Sequence, residues 1–147
     1  MQDFDYAVPI PLPVWQDPQS NPVLLKTRDG WEVILACWTD EAEPTEYVAV
    51  LSFQRAWAVR AVALEEVPLE MRGKRTRSDI YRLEGSLWLS SLEATWQALY
   101  SHWPSLEHDP DHHYWVQGHD SRVEVIASDF SVERKPNEEY ANILPLR

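Results

Sequence analysis

The chain has 147 residues, 44% of them apolar and 25% charged. This suits one domain with a hydrophobic core, leaves no room for two ordinary domains, and excludes disorder of the whole chain. Thirteen Lys and Arg against 24 Asp and Glu give a net charge of −11 at pH 7, which argues against nucleic acid or an anionic membrane as partner; such a chain can steer a basic partner onto itself, and the bland reading is that many cytoplasmic proteins are simply acidic.

One cysteine, Cys37, allows no internal disulfide and no Cys-based zinc site. The opening MQDFDYAVPI carries two acids and no early base, so no secretory or mitochondrial leader is expected. No apolar run approaches the roughly 18–20 residues of a membrane span. These features predict a protein of the reducing cytoplasm.

Five of the eleven prolines fall in residues 1–28: Pro9, Pro11, Pro13, Pro18 and Pro22. Proline fixes φ and lacks an N–H, so VPIPLPVW favours an extended path over a central strand. The expectation is an arm lying on the domain and burying Trp15. A proline-rich ligand for a partner's aromatic groove is the alternative.

Residues 29–135 read as the domain itself. GWEVILACWTD, from Gly30 to Asp40, is apolar on one face and nearly so on the other, as in a strand covered on both sides. A polar loop, Asp40 to Thr45, leads to a second strand over Glu46 to Phe53, rich in β-branched and aromatic residues. AWAVRAVAL at 56–64 fits a helix or a strand. Strand is preferred because Trp and Val crowd a helix, with a bulge possible at Gln54-Arg55. Ile80 to Leu83 returns to strand character. A single apolar stripe of Leu89, Leu92, Trp96, Leu99, Tyr100 and Trp103 predicts a helix over about 88–103, ended by Pro104. Ser90 with Glu93 forms a capping box, and Ser86 is an earlier alternative cap. HYWVQ, a turn at Gly118 to Ser121 and RVEVIA read as a hairpin whose glycine supplies a positive φ. Phe130 to Glu133 is a short edge strand, and 136–147 a polar tail. Strands, one long helix, then strands predict a single α+β domain: a mainly antiparallel sheet of about five or six strands with the helix packed on one face.

All five histidines lie between 102 and 119. His108, His112 and His119, with Asp109, Asp111 and Asp120 nearby, are candidate ligands for zinc or another divalent metal. The competing reading is a polar loop beside a hairpin, because no HExxH-type spacing accompanies them. Arg72, Lys74, Arg75 and Arg77 are candidate anion contacts, since guanidinium forks suit phosphate or carboxylate; the bland reading is a solvated loop. Cys37, mid-strand among apolar residues, is expected to be a small hydrophobe. Asp40, Glu41, Glu43 and Glu46 crowd one loop where they serve no core. With Trp38 and Trp115, expected as an exposed aromatic patch, they form a candidate partner-binding surface.

The patterns YRLEGSLWL at 81–89 and HYWVQGHDSRVEVIASDF at 113–130 resemble small bacterial proteins, some of which are immunity partners of toxins. The resemblance implies an inhibitory, protein-binding role and transfers no functional residue. The expected function is thus protein–protein binding, as an immunity- or antitoxin-like inhibitor or a self-associating accessory protein, with a metal-dependent enzyme using the 108–120 cluster as the alternative.

Overall fold

Residues 3–63, 69–100 and 109–143 are described by the computed structural model. Within them, period-two apolar patterns become strands: β1 (Tyr6–Pro9), β2 (Trp15–Gln16), β3 (Val23–Thr27), β4 (Gly30–Trp38), β5 (Pro44–Gln54), β6 (Ala58–Val62), β7 (Ile80–Glu84), β8 (His112–Gln117), β9 (Arg122–Ala127) and β10 (Asp129–Pro136). One helix, α1 (Leu87–Leu99), stands between β7 and β8, and a 3-10 turn over Asn137–Tyr140 follows β10.

Two antiparallel five-stranded sheets result. The first runs β1-β7-β8-β9-β6, and the second runs β10-β5-β4-β2 with β3 also paired to β4. The predicted α+β plan of one sheet covered by a helix is therefore corrected. The described residues are 48% strand and 13% helical, and sheet covers sheet. The cause lies in strands that are apolar on both faces. Val33, Leu35 and Cys37 of β4 and Leu51 and Phe53 of β5 form one buried cluster with Tyr114, Val116, Val123 and Val125 of the other sheet. The opposite face of β4 and β5 buries Ile34, Val48 and Val50 against Tyr140 of the 3-10 turn. The proline-rich N-terminal stretch is knitted into both sheets: β1 pairs with β7, whereas β2 and β3 pair with β4.

A bulged corner joins the sheets. β5 pairs with β10, and the same two chain segments continue as β6 paired with β9. Between the pairs Gln54–Asp129 and Ala58–Ile126, one strand advances four residues and the other three. The extra residue bends the ladder from one sheet into the other, and Arg55 takes a φ of 56° there. Ser128 N–H donates to Gln54 O at 3.0 Å and Trp57 N–H to Ile126 O at 3.1 Å, so the corner stays hydrogen-bonded.

Helix α1 starts from Ser86, whose Oγ accepts from Leu89 N–H at 3.1 Å. Ser90 is not the cap; its hydroxyl donates to Leu87 O inside the first turn. None of the helix residues is buried, and Leu87, Leu99 and Tyr100 are 59%, 69% and 53% exposed. With the inner sheet faces already covered by one another, the apolar stripe has no sheet face to fill. Contact is made by individual rings. Trp96 meets Trp57 edge-on with centroids 6.0 Å apart, and Trp88 meets His113 at 5.0 Å. Trp103 and Pro104 lie outside the described residues. Among the described residues, no helix is long and apolar enough to cross a membrane.

Candidate functional site

Two constellations stand out: a buried polar network beneath the start of α1, and an aromatic groove at the β4–β5 loop.

The network centres on Glu124 of β9, which is fully buried. A carboxylate in such a place needs several donors. Arg60 of β6 supplies two, Nε to Oε2 at 3.0 Å and Nη2 to Oε1 at 2.9 Å, and Arg122 Nε donates to Oε2 at 3.0 Å. His113 Nε2 lies 2.7 Å from Oε1, and its Nδ1 lies 2.6 Å from Ser86 Oγ. Burial alone would raise the Glu124 pKa, but hydrogen bonds from His113, Arg60 and Arg122 outweigh it and hold the group at about 2. Being ionised, Glu124 can only accept, so His113 Nε2 carries a proton. Ser86 Oγ, which accepts from Leu89 N–H, thus joins the helix cap to His113 Nδ1.

Ser86, His113 and Glu124 thus follow one another as the residues of a serine-hydrolase relay do. The surroundings suit a fastener instead. Ser86 Oγ is engaged as the helix cap, Ser86 is only 9% exposed, and two guanidiniums share the carboxylate. The network ties the helix N-terminus to three strands, and Arg60 lies over the Trp88 ring at 4.0 Å to close it from above.

The groove forms where β2 and the β4–β5 loop meet. Trp15 and Trp38 are cross-strand partners, and their rings meet edge-on at 5.4 Å. With Tyr47, Asp40, Glu41, Arg77 and Arg134 they line a hollow of about 520 Å³, within the range of about 300–1,000 Å³ usual for ligand sites. Arg77 lies over Trp15 at 4.6 Å and donates to Asp40 Oδ1 at 2.9 Å. Arg134 lies over Tyr47 at 4.6 Å and donates to Pro13 O at 2.7 Å. The loop that carries the acids has a set shape. Thr39 N–H donates to Glu43 O, Thr39 Oγ1 accepts from the N–H groups of Glu41 and Glu43, and Ala42 adopts a φ of 59°.

Asp40, Glu41, Glu43 and Glu46 are all exposed at this end. Asp40 pairs with Arg77, while Glu41, Glu43 and Glu46 make no ion pair with a described residue. Trp38 belongs to the groove. Trp115 does not, and its expected place in an exposed patch is corrected: it is 5% exposed on the outer face of the first sheet, where Phe4 meets its edge, Arg122 covers its face and its Nε1–H donates to Gln117. The four cations of the 72–77 loop are dispersed. Arg72 lies over Tyr6, Arg75 pairs with Asp79 and Arg77 with Asp40, while Lys74 is exposed. His112 begins β8, and His119 lies beyond its far end in the hairpin turn. Seven residues of near-extended chain separate them by about 20 Å, so they do not share an ion. His108 lies outside the described residues, and no group of three or more His, Cys, Asp or Glu that could hold a metal occurs among the described ones. Burial pushes the Cys37 thiol up to about 11, which keeps it inert.

Gly118 does not serve as a positive-φ residue. Its role is close approach: a Cβ there would meet Pro22, and would lie 2.6 Å from Asn21 Oδ1 and 2.9 Å from Asn21 Cα. The Glu124 network was missed from the sequence, although RVEVIA carried a signal. Ile126 shares a face with Glu124, so an apolar residue needing cover marked that face as buried. The Arg77–Asp40 contact, 37 residues apart in sequence, left no local trace.

Compared with protein-family models, curated proteins and solved structures, the chain matches none.

Proposed function

We propose that the protein acts by binding another protein, using the aromatic groove and its acidic rim at the β4–β5 end of the sandwich. The observation that supports this is the exposed carboxylate of Glu41 in the groove of the ring pair Trp15–Trp38, with Glu43 and Glu46 exposed close by in sequence, all three without ion-pair partners among the described residues. Rings give a partner apolar area to cover, and unpaired acids favour a basic surface and speed its encounter. The net charge of −11 works in the same direction over longer range. The partner is then a basic protein in the reducing cytoplasm, and an immunity- or antitoxin-like inhibitor is the form of this role that the charge favours. Two copies of so acidic a chain repel, which places the self-associating version second.

The test is affinity capture from the native host with the wild type and with the triple variant Glu41→Lys, Glu43→Lys, Glu46→Lys. A partner held by the wild type and lost from the variant supports the reading, and the on-rate of the purified pair should fall with salt while the off-rate changes little. Equal capture by both proteins, or recovery of nucleic acid alone, contradicts it.

A further inference from the structure

We infer that the groove receives an arginine side chain of the partner, and that the chain's own Arg77 occupies that place in the free protein. This rests on the protein-binding reading above and names the group it recognises. The groove presents a ring face and a carboxylate at one point, the pairing that a planar cation with forked donors satisfies. Arg77 shows the fit: its guanidinium lies 4.6 Å from the Trp15 centroid and 2.9 Å from Asp40 Oδ1.

Arg77 is also easy to displace. Its side chain is 61% exposed and that of Asp40 is 87% exposed, so the pair is weakly held in water. Arg77 enters from the irregular segment before β7, and Thr76 and Ser78 beside it are tied down: Thr76 Oγ1 donates to Ser78 O, and Ser78 Oγ donates to Val14 O. The side chain can therefore leave the groove while its backbone stays in place. Arg134, on the far wall, is held by the Pro13 carbonyl and the Tyr47 ring. An incoming guanidinium thus exchanges with Arg77 for Trp15 and Asp40, and Glu41 on the rim offers further charge.

The experiment titrates the full chain with acetyl-Gly-Arg-Gly-amide and with its lysine counterpart, reading the indole N–H resonances of Trp15 and Trp38. The wild type binds the arginine peptide weakly. Arg77→Ala removes the competitor and tightens binding about two- to fivefold. Asp40→Asn and Trp15→Phe weaken binding in the Arg77→Ala background. Arg75→Ala, which removes the same charge from the same segment but not from the groove, leaves the affinity unchanged. Tightening by Arg75→Ala equal to that by Arg77→Ala would reduce the effect to net charge and overturn the inference. Lysine binding as tight as arginine binding, or no gain from Arg77→Ala, would overturn it too. If no variant binds the peptide while a native partner is still lost from the triple-acid variant, the arginine inference falls and the protein-binding reading stands. Loss of both removes both.

Discussion

Arg60 and Glu124 are directly opposite each other on β6 and β9, and the guanidinium of one clamps the carboxylate of the other through two hydrogen bonds of 3.0 and 2.9 Å. Around this pair the outer face of the first sheet departs from apolar packing. Arg122 and His113 complete the coordination of the carboxylate, and Ser86 passes it on to the helix cap. A buried ion network of this kind adds modest net stability when whole and is costly when broken.

Glu124→Gln is therefore expected to destabilise the fold by about 3–5 kcal/mol, because it leaves two guanidiniums and an imidazole facing a neutral amide. Urea unfolding measures it. A loss below about 1 kcal/mol would show that the network does not hold the structure.

The same group sets an acid limit. Glu124 is held at about 2 against an ordinary value of 4.5, so the unfolded chain binds the more protons between these limits. Its contribution, of the order of 3 kcal/mol, is complete above about pH 4.5 and is lost as pH falls through about 2. Thermal melts between pH 2 and 6 should show the wild type losing its advantage over Glu124→Gln across that interval. A constant difference between the two proteins would contradict the assignment.

Trp96 is partly buried on α1, where it meets Trp57 and Tyr100. Trp96→Ala should cost about 1–2 kcal/mol, below the 3–5 usual for a buried aromatic. A loss in the larger range, by urea unfolding, would mean that the helix is packed more deeply than its exposed stripe implies.

The pattern that predicts strands is local, so β4, β5, β7, β8 and β9 were legible in the sequence, as was the strand character of β6. What covers a strand's second face is not local. Ile34 and Val50 called for cover without naming it, and a helix with an apolar stripe looked like the candidate. The N-terminal prolines hid three strands: Pro9 closes β1, where it needs no ladder N–H, and β2 and β3 are short runs set between or after the other prolines. Of the candidate site, the acids and Trp38 were visible as exposed types in one loop. The groove was not, because Trp15 and Arg77 reach it from distant parts of the chain.

Gly118→Ala should destabilise by about 1–3 kcal/mol, since the new methyl would press on the Asn21 backbone. Asn21 also brackets the hairpin tip, donating from Nδ2 to Asp120 Oδ1 and accepting at Oδ1 from Asp120 N–H. Faster amide exchange at His119 and Asp120 in the variant would show the tip loosened, and unchanged exchange together with unchanged stability would contradict the close approach.

The proposed function puts the partner at the β4–β5 end. A photoreactive residue placed at Glu41, beside the groove, and separately at Arg28, in the turn before the other end of β4, tests it in the native host. A crosslink to one basic protein is expected from position 41 and none from position 28. Capture of the partner from position 28 alone, or equally from both, would contradict it.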